Sequence, residues 1–351
     1  MALIKFKNIG IGAINACVPK KIEKNINLTD IFNKSNLQDI IKTIGITERR
    51  IADYNVTASD LCYSAAKSLL NELNIDKSTI DILIFMSQFP DYRIPATAPS
   101  LQHRLGLSKT TAAFDINLSC SGYIYALSTA FAYANIPGIN RVLLLDGETF
   151  SKLVSKRDKV NRPLYGDAGT ATIIEKGNFG ESYFSLNSDG SGVDILKVEA
   201  GGARNKTTVE NIEEIEVEDG NFRSSHQLSM DGMEVFNFTM MNVPKDIKKL
   251  LKFANRNIQE IDLFVFHQAN KLMTDFFAKR LKIPNEKLPY SIDLFGNTSS
   301  ASIPLTISLK LNSKKADILL SSFGAGLSWA SAIVNLSNST VVPLSEYNNE
   351  E

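Results

Sequence analysis

A weak internal repeat constrains the fold of this chain more than any other feature of its sequence. Lys67-Ser-Leu-Leu70 resembles Lys248-Lys-Leu-Leu251 after an offset of 181 residues. In both places an amphipathic helix leads through a polar turn into an apolar strand, and strands alternate with helices on either side. We therefore predict an α/β fold with two similar βαβ-rich halves, residues 1–176 and residues 177–351.

The alternation of strands and helices predicts sheets that are largely parallel and buried on both faces. In open α/β sheets, ligands bind beyond the carboxyl ends of the strands. If pseudo-symmetry relates the two halves, corresponding strand ends converge on one place. Polar side chains at such ends are therefore the first candidates for a functional site.

Cys120 stands between an apolar segment, residues 113–118, and a segment with helical spacing, residues 123–134. A thiol at a strand-to-helix turn lies near the first free N–H groups of the helix, where the helix dipole favours the reactive thiolate. Two interpretations remain open at this point, a nucleophile and a buried structural thiol. Cys17 and Cys62 have no such setting and are interpreted as buried structural cysteines.

His267 and Asn297 are the second and third candidates. His267 directly follows a predicted strand, residues 262–266, and precedes a predicted helix, Lys271–Leu281. Asn297 is expected just after another short strand and before another helix. Either residue alone is more often structural, but a cysteine with distant His and Asn partners is a known pattern of nucleophilic catalysis.

Composition excludes several other classes of protein. The 351 residues carry a formal net charge of zero, so charge gives no case for nucleic-acid binding. Three cysteines without a CxxC spacing and three separated histidines argue against a disulfide framework and a metal site, and favour the cytoplasm. The uncharged segment 318–336 is interpreted as two buried strands around a glycine turn, not as a membrane span.

Several motifs together give the chain a family resemblance. His267-Gln-Ala-Asn270, Gly296-Asn-Thr-Ser-Ser-Ala-Ser-Ile-Pro304 and the Cys120 segment resemble β-ketoacyl-acyl-carrier-protein synthase III, a condensing enzyme of bacterial fatty-acid synthesis. Three further stretches match the same pattern: Gly45-Ile-Thr-Glu-Arg-Arg-Ile-Ala52, Tyr165-Gly-Asp-Ala-Gly-Thr-Ala171 and Phe323-Gly-Ala-Gly-Leu-Ser-Trp329.

The resemblance implies a thiolase-like fold with αβαβα layers and a set of site residues. Cys120 would carry the acyl group, while His267 and Asn297 would stabilise the enolate formed when malonyl-acyl carrier protein loses carbon dioxide. Backbone N–H groups of Cys120 and Ala325 would form the oxyanion hole of the acyl-transfer step. The family needs no cofactor and no metal. The acyl tunnel is assigned to the following residues: Ile94 and Phe323.

The resemblance also implies partners. The expected partners are acyl- and malonyl-loaded carrier protein and a second copy of the chain in a homodimer, with acyl-coenzyme A as an alternative donor. Asp39 and Thr43 stand where the family has a Trp and an Arg that bind coenzyme A, so carrier protein is the expected donor. Acidic carrier protein is expected to meet a basic cluster on and after the helix that follows His267: Lys271, Lys279, Arg280 and Lys282.

Two other functions remain open. One is a related enzyme of the same fold, either an acyltransferase that does not decarboxylate or a condensing enzyme of a specialised metabolite. Asn297 favours decarboxylation over the former. The other is a non-catalytic partner subunit, which the presence of Cys120 disfavours. Residues 187–230 differ from the family and carry an acidic run from Glu210 to Asp219, which is predicted to be a solvated loop or hairpin.

Overall fold

A computed structural model describes residues 2–218, 220–311 and 317–348 of the chain. The helices are α1 Lys34–Ile44, α2 Ala58–Glu72, α3 Thr97–Arg104, α4 Gly122–Ala134, α5 Val209–Ile212, α6 Gly232–Ala254, α7 Lys271–Leu281, α8 Ile292–Phe295 and α9 Ser302–Lys310. The strands are β1 Ala2–Val18, β2 Ile22–Lys24, β3 Glu48–Arg50, β4 Ile80–Met86, β5 Ala112–Ile116, β6 Arg141–Glu148, β7 Ala168–Ser188, β8 Leu196–Val198, β9 Ile215–Glu218, β10 Asn221–Arg223, β11 Leu228–Met230, β12 Leu263–Phe266, β13 Asp317–Gly324, β14 Ser328–Asn335, β15 Thr340–Val341 and β16 Ser345–Glu346.

The main sheet consists of two similar halves that share the long strands β1 and β7. The first part of β7 pairs with β6, which continues through β4 to β5, and the last part pairs with β14, which continues through β13 to β12. β1 runs antiparallel to β7 along both parts. Near Asn8 of β1 the register shifts, and residues 177–180 of β7 bulge opposite it. The predicted boundary between residues 176 and 177 falls inside β7 and stays a prediction.

Strands in both halves alternate their side chains between two separate hydrophobic cores. In β4, Ile82 and Ile84 enter a central core while Leu83 and Phe85 enter an outer one. β13 does the same, because its even-numbered Ile318 and Leu320 join the central core and Leu319 joins the other outer core. A strand buried on both faces reads as a continuous apolar run, which is the pattern that the sequence shows.

Helices fill the three layers that these cores define. The nearly all-apolar helix α4 and helix α9 lie in the central layer between the two halves of the sheet. Helices α2 and α3 cover one outer face, and α6 and α7 cover the other. The equivalent positions of α2 and α6 correspond to the repeat found in the sequence. The predicted αβαβα layering is confirmed.

Two details of the predicted secondary structure are wrong. The sheet is mixed and not largely parallel, because β7 runs antiparallel to its neighbours β1, β6 and β14. The segment before Asn297 is the short helix α8 and not a strand. Ile292 and Phe295 are buried while the two residues between them are exposed, which is the i, i+3 spacing of a helical turn.

Other predicted elements are confirmed. α7 has the predicted bounds, and β13 and β14 form the two buried strands around a glycine turn. The acidic run is partly a hairpin of β9 and β10, whose strand Ile215–Glu218 is exposed; Asp219 lies outside the described residues. Among the helices of residues 2–218, 220–311 and 317–348, none is long and apolar enough to cross a membrane.

Candidate active site

One cavity of about 360 Å³ brings together Cys120, His267 and Asn297. Cys120 lies at the turn between β5 and α4, His267 directly after β12, and Asn297 between α8 and α9. The first belongs to one half of the fold and the other two to the second half. The pseudo-symmetry therefore places strand ends from both halves at the same cavity, as the sequence predicted.

The Cys120 thiol is held in a narrow, largely apolar position. Its side chain is 4% exposed, and the hydroxyls of Ser299 and Ser119 lie 3.5 and 3.6 Å from Sγ. A side chain at Gly324 would place its Cβ 2.7 Å from the Cβ of Cys120, so glycine is needed beside the thiol. Gly122 is similarly required, because a Cβ there would meet the Met86 sulfur at 2.3 Å.

Burial raises the pKa of the Cys120 thiol, and the hydroxyl groups of Ser299 and Ser119 counteract this only in part. Burial therefore opposes the preference for thiolate that the sequence predicts at this helix start, because desolvation disfavours the charged form.

The other two cysteines lie away from the cavity. Cys17 and Cys62 are fully buried on β1 and α2, and both pack in the outer core under α2. Burial raises the pKa of the Cys62 thiol well above its usual value. Their positions agree with the structural role predicted for them.

His267 is a neutral side chain in a fixed orientation. Its Nδ1 lies 2.8 Å from the hydroxyl oxygen of Ser302, and its backbone N–H donates to the carbonyl oxygen of Ser321. The ring of Phe323 meets the imidazole edge-on, with 5.3 Å between ring centroids. Burial lowers the pKa of His267 to about 3. When the Ser302 hydroxyl donates to Nδ1, Nε2 carries the proton and becomes a donor for a ligand.

Asn297 is fixed by both its backbone and its side chain. Its backbone N–H donates to the Leu164 carbonyl oxygen at 2.8 Å, and its own carbonyl oxygen accepts from the Gly166 N–H at 3.1 Å. Its Oδ1 accepts from the Ser299 N–H at 2.9 Å, so the amide NH₂ is the group left for a ligand. A Cβ at Gly166 would lie 2.1 Å from the Phe295 carbonyl oxygen, which explains the glycine in that motif.

A larger cavity of about 990 Å³ shares two wall residues, Tyr165 and Leu196, with the first. Ser119 and Ala325 also line it, so it reaches the immediate neighbourhood of Cys120. Its outer wall comes from β8 and β11 of the 187–230 segment and from residues 87–93. The sequence had located this segment as different but had not linked it to the site.

The residues assigned to the acyl tunnel lie in different places. Phe323 lines the small cavity and packs against His267. Ile94 is 89% exposed and lines neither of these two cavities, although its neighbours Arg93 and Ala96 line the larger one. A role for Ile94 in closing a tunnel therefore requires a second copy of the chain and stays a prediction.

The basic cluster proposed for docking lies along and after α7. Lys271 forms an ion pair with Asp275 at 2.5 Å, while Lys279 and Arg280 are exposed in the last turn of the helix. Lys282 follows the helix, is exposed and has a left-handed backbone conformation, with φ of 57°. The N-terminal end of the same helix supplies Leu272 and Met273 to the small cavity, so Lys271 lies beside its opening, whereas Lys279, Arg280 and Lys282 stand at the far end of the helix.

Sequence reasoning missed the serine-rich turn that joins these groups. Ser299 contacts Cys120, and Ser302 contacts His267. The run Thr298-Ser-Ser-Ala-Ser302 was the available signal, because hydroxyl groups that are fully buried need partners. Within the described residues, no group of His, Cys, Asp and Glu side chains has an arrangement that would hold a metal ion.

Comparisons with known proteins identify the family to which this chain is similar. Residues 114–190 match the family model of 3-oxoacyl-[acyl-carrier-protein] synthase III, and residues 251–336 match the model of its C-terminal part. A relative from Campylobacter jejuni is 36% identical over 94% of this chain and 95% of its own. The β-ketoacyl-[acyl-carrier-protein] synthase III of Syntrophomonas wolfei is 34% identical over 94% of this chain and 97% of its own.

The solved structure of a 3-oxoacyl-(acyl-carrier protein) synthase from Burkholderia xenovorans superposes with a TM-score of 0.91 at 38% identity, covering 98% of this chain and 99% of its own. The fold and the site thus define a condensing acyltransferase with a thiolase-like fold. The chain belongs to the β-ketoacyl-acyl-carrier-protein synthase III family, which confirms the family and the class of enzyme that the motifs predicted.

Proposed function

We propose that Cys120 takes up an acyl group and that the chain condenses it with malonyl-acyl carrier protein by a decarboxylative Claisen reaction. The observation that carries this proposal is the single cavity lined by a thiol, a neutral imidazole and an amide. The thiol suits covalent catalysis, and the two neutral donors suit an enolate that forms without a metal. Loss of carbon dioxide supplies the carbanion, so no strong base is required.

In the loading step, Cys120 Sγ attacks the carbonyl carbon of an acyl thioester. The thiol proton passes to the leaving thiolate of the donor, and a new thioester forms on the enzyme. The backbone N–H groups of Cys120 and Ala325 are assigned to the oxyanion of the tetrahedral intermediate. Support for this assignment is the position of Ala325 in the wall of the cavity that also reaches Ser119.

In the condensing step, the carbon–carboxylate bond of the malonyl thioester breaks and its electron pair becomes an enolate. His267 Nε2–H and the Asn297 NH₂ are assigned to the enolate oxygen. The Oδ1 of Asn297 already accepts a backbone N–H, which supports the amide nitrogen as donor. The enolate carbon then attacks the acyl-Cys120 carbonyl carbon, the thiolate leaves, and a 3-oxoacyl carrier protein results.

The proposed partners are the acyl carrier protein, as donor and acceptor, and a second copy of the chain. β5 is an edge strand of the main sheet in the described part of the chain, and unpaired edges favour strand pairing. Phe89, Tyr92 and Ile94 expose apolar surface on the loop that follows β4, the strand next to β5. Both features support a homodimer formed along β5.

Carrier protein is the proposed acyl donor, with acyl-coenzyme A as the weaker alternative. Asp39 and Thr43, which replace the family's Trp and Arg, are exposed on α1. Neither side chain offers an aromatic face for adenine, and such a stack is worth about 1–3 kcal/mol. The proposed compartment is the cytoplasm, on the argument that the chain carries reduced cysteines.

Intact mass spectrometry after incubation with a panel of acyl-carrier and acyl-coenzyme A thioesters tests the first half of the proposal. Addition of malonyl-carrier protein to the loaded enzyme tests the second, with carbon dioxide release and the 3-oxoacyl product as readouts. We expect acylation at one cysteine followed by condensation. Acylation with transfer to another acceptor and no carbon dioxide would identify a non-decarboxylating acyltransferase instead. Absence of acylation by every donor would contradict both enzymes.

A further inference from the structure

A buried carboxyl group outside both cavities contacts the turn that carries the proposed enolate donors. Asp146 stands near the end of β6 and has no exposed surface. Its Oδ1 accepts a hydrogen bond from the Ser300 hydroxyl at 2.6 Å, while its Oδ2 has no hydrogen-bond partner within the described part of the chain. A buried carboxyl with one unsatisfied oxygen is costly, so its presence here calls for an explanation.

Ser300 belongs to a turn with an unfavourable backbone conformation. The preceding residue, Ser299, has φ of 53°, in the left-handed region that non-glycine residues rarely adopt. Such a conformation persists only when surrounding contacts fix it. The hydrogen bond from Ser300 to Asp146 joins this turn to β6, a central strand of the other half of the fold.

The same turn contacts all three members of the site. The Ser299 N–H fixes the Oδ1 of Asn297, the Ser299 hydroxyl lies 3.5 Å from Cys120 Sγ, and the Ser302 hydroxyl lies 2.8 Å from Nδ1 of His267. A shift of this turn would therefore misdirect both proposed donors at once. A displacement of about 1 Å in such a group lowers rates by as much as about 10²-fold.

We propose that Asp146 is a positioning residue for decarboxylation, which acts through Ser300 on the orientation of Asn297 and His267. This inference rests on the proposed function of the same site. Burial raises the pKa of Asp146 to about 8, so at pH 7 the group is mostly neutral. A neutral amide at this position therefore preserves both its charge state and its acceptor oxygen.

The test compares two half-reactions in matched variants. Asp146→Ala and Ser300→Ala should each lower malonyl-carrier decarboxylation about tenfold or more and acylation of Cys120 by a clearly smaller factor, because hydrogen bonds from the turn orient Asn297 and His267, whereas Ser299 only lies near Sγ. Asp146→Asn should retain most of the decarboxylation rate that Asp146→Ala loses, because the amide oxygen still accepts a hydrogen bond from the Ser300 hydroxyl. In the double variant Asp146→Ala/Ser300→Ala, the decarboxylation rate should fall no further than in the more affected single variant, because both substitutions remove the same hydrogen bond.

Asp246 and Ser185 provide a matched control pair. Asp246 is another buried carboxyl that accepts from a serine hydroxyl, that of Ser185, at 2.5 Å, and neither residue lines the two cavities. Asp246→Ala and Ser185→Ala should leave the ratio of the two half-reactions unchanged. Because Ser300→Ala removes one oxygen atom, it remains informative if Asp146→Ala fails to fold.

The outcomes separate this inference from the proposed function. If the wild-type protein acylates but never decarboxylates malonyl-carrier protein, the proposed function fails. If the wild type decarboxylates malonyl-carrier protein and Ser300→Ala does so at the same rate, the positioning role fails. Equal losses in both half-reactions, or the same change in ratio for Asp246→Ala, would also overturn it, since a general loss of stability would then suffice.

Discussion

The two cavities beside Cys120 share Tyr165 and Leu196 as walls, yet they are built from different parts of the fold. In the small cavity, strand ends and a buried turn carry Cys120, His267 and Asn297, which are all 5% exposed or less, while Met233 and Leu272 from the starts of α6 and α7 form an exposed rim. The larger cavity is closed by short strands and loops at the surface. Tyr92 and Val198 in its wall are 65% and 36% exposed.

We propose that the small cavity holds the reacting groups and that the larger cavity influences which acyl group is used. In the small cavity, hydrogen bonds to Ser302 and Ser299 fix the side chains of His267 and Asn297. The segment 187–230, which lies outside the repeated αβ units, supplies much of the wall of the larger cavity but only Leu196 and Met230 to the small one. Variants in the first region should therefore abolish a step, and variants in the second should change which acyl group is used.

The largest effect is expected at Cys120. Cys120→Ala removes the only thiol in the small cavity and should abolish acylation of the protein, as measured by intact mass. Cys62→Ala is the matched control, because Cys62 is equally buried but lines neither cavity. Full acyl loading of the Cys120→Ala protein would contradict the assignment of the nucleophile.

A large but selective effect is expected at His267 and Asn297. His267→Ala and Asn297→Ala should still load an acyl group, while condensation falls about 10²–10³-fold, the usual result of removing one oxyanion donor. Since burial lowers the pKa of His267 to about 3, its imidazole is neutral from about pH 5 upwards, and it gains a proton only as the pH falls towards 3. The pH profile of decarboxylation between pH 6 and pH 8 should thus show no inflection from this residue.

Two results would contradict this division of roles. One is condensation at the wild-type rate in both variants, which would place the acceptor chemistry elsewhere. The other is loss of acyl loading together with condensation, which would make His267 or Asn297 part of the first step. Single-turnover loading and carbon dioxide release, measured separately, distinguish these cases.

The sequence predicted that Cys120 and His267 lie close together because each follows the carboxyl end of a strand. The positions of Cys120 and His267 after apolar segments, and the repeat that relates the two halves, were enough to expect convergence. The direction of the Cys120 pKa was not predictable in this way. It depends on how completely the folded protein removes water from the thiol, and local sequence contains no measure of that.

Other features depend on contacts between distant residues. Asp146 and Ser300 are separated by 154 positions, and nothing near either residue indicates the pair. The segment before Asn297 was taken for a strand because a short apolar run fits both a strand and a helical turn, and only the i, i+3 burial of Ile292 and Phe295 decides. The larger cavity was missed because β8 and β11 are three-residue strands that carry little periodic signal.

A moderate effect is expected from narrowing the larger cavity. Ala200 lies in its wall and is 5% exposed, so Ala200→Phe should occupy space meant for an acyl chain. The kcat/KM for a six-carbon or longer primer should fall about tenfold or more relative to that for an acetyl primer, because each methylene is recognised through contact. Ala132→Phe, at an exposed alanine outside both cavities, is the control. An equal loss for acetyl and longer primers would show that this cavity does not hold the acyl chain.

The smallest effect is expected at the basic surface of α7. Lys271 is already paired with Asp275, so Lys279 and Arg280 are the better candidates for attracting an acidic carrier protein. Reversing both, as Lys279→Glu/Arg280→Glu, should raise the KM for carrier-bound substrate a few-fold at low salt, and added salt should shrink this difference because it screens exposed charges. Lys7→Glu, at an exposed lysine of β1, is the control for general charge effects.

The KM for acyl-coenzyme A should change less than the KM for carrier-bound substrate. Acyl-coenzyme A is much smaller than a carrier protein, so we expect it to make fewer contacts with Lys279 and Arg280. An unchanged KM for carrier protein at low salt would exclude docking at this surface and leave the opening of the small cavity, beside Leu272 and Met273, as the remaining region of contact on α7.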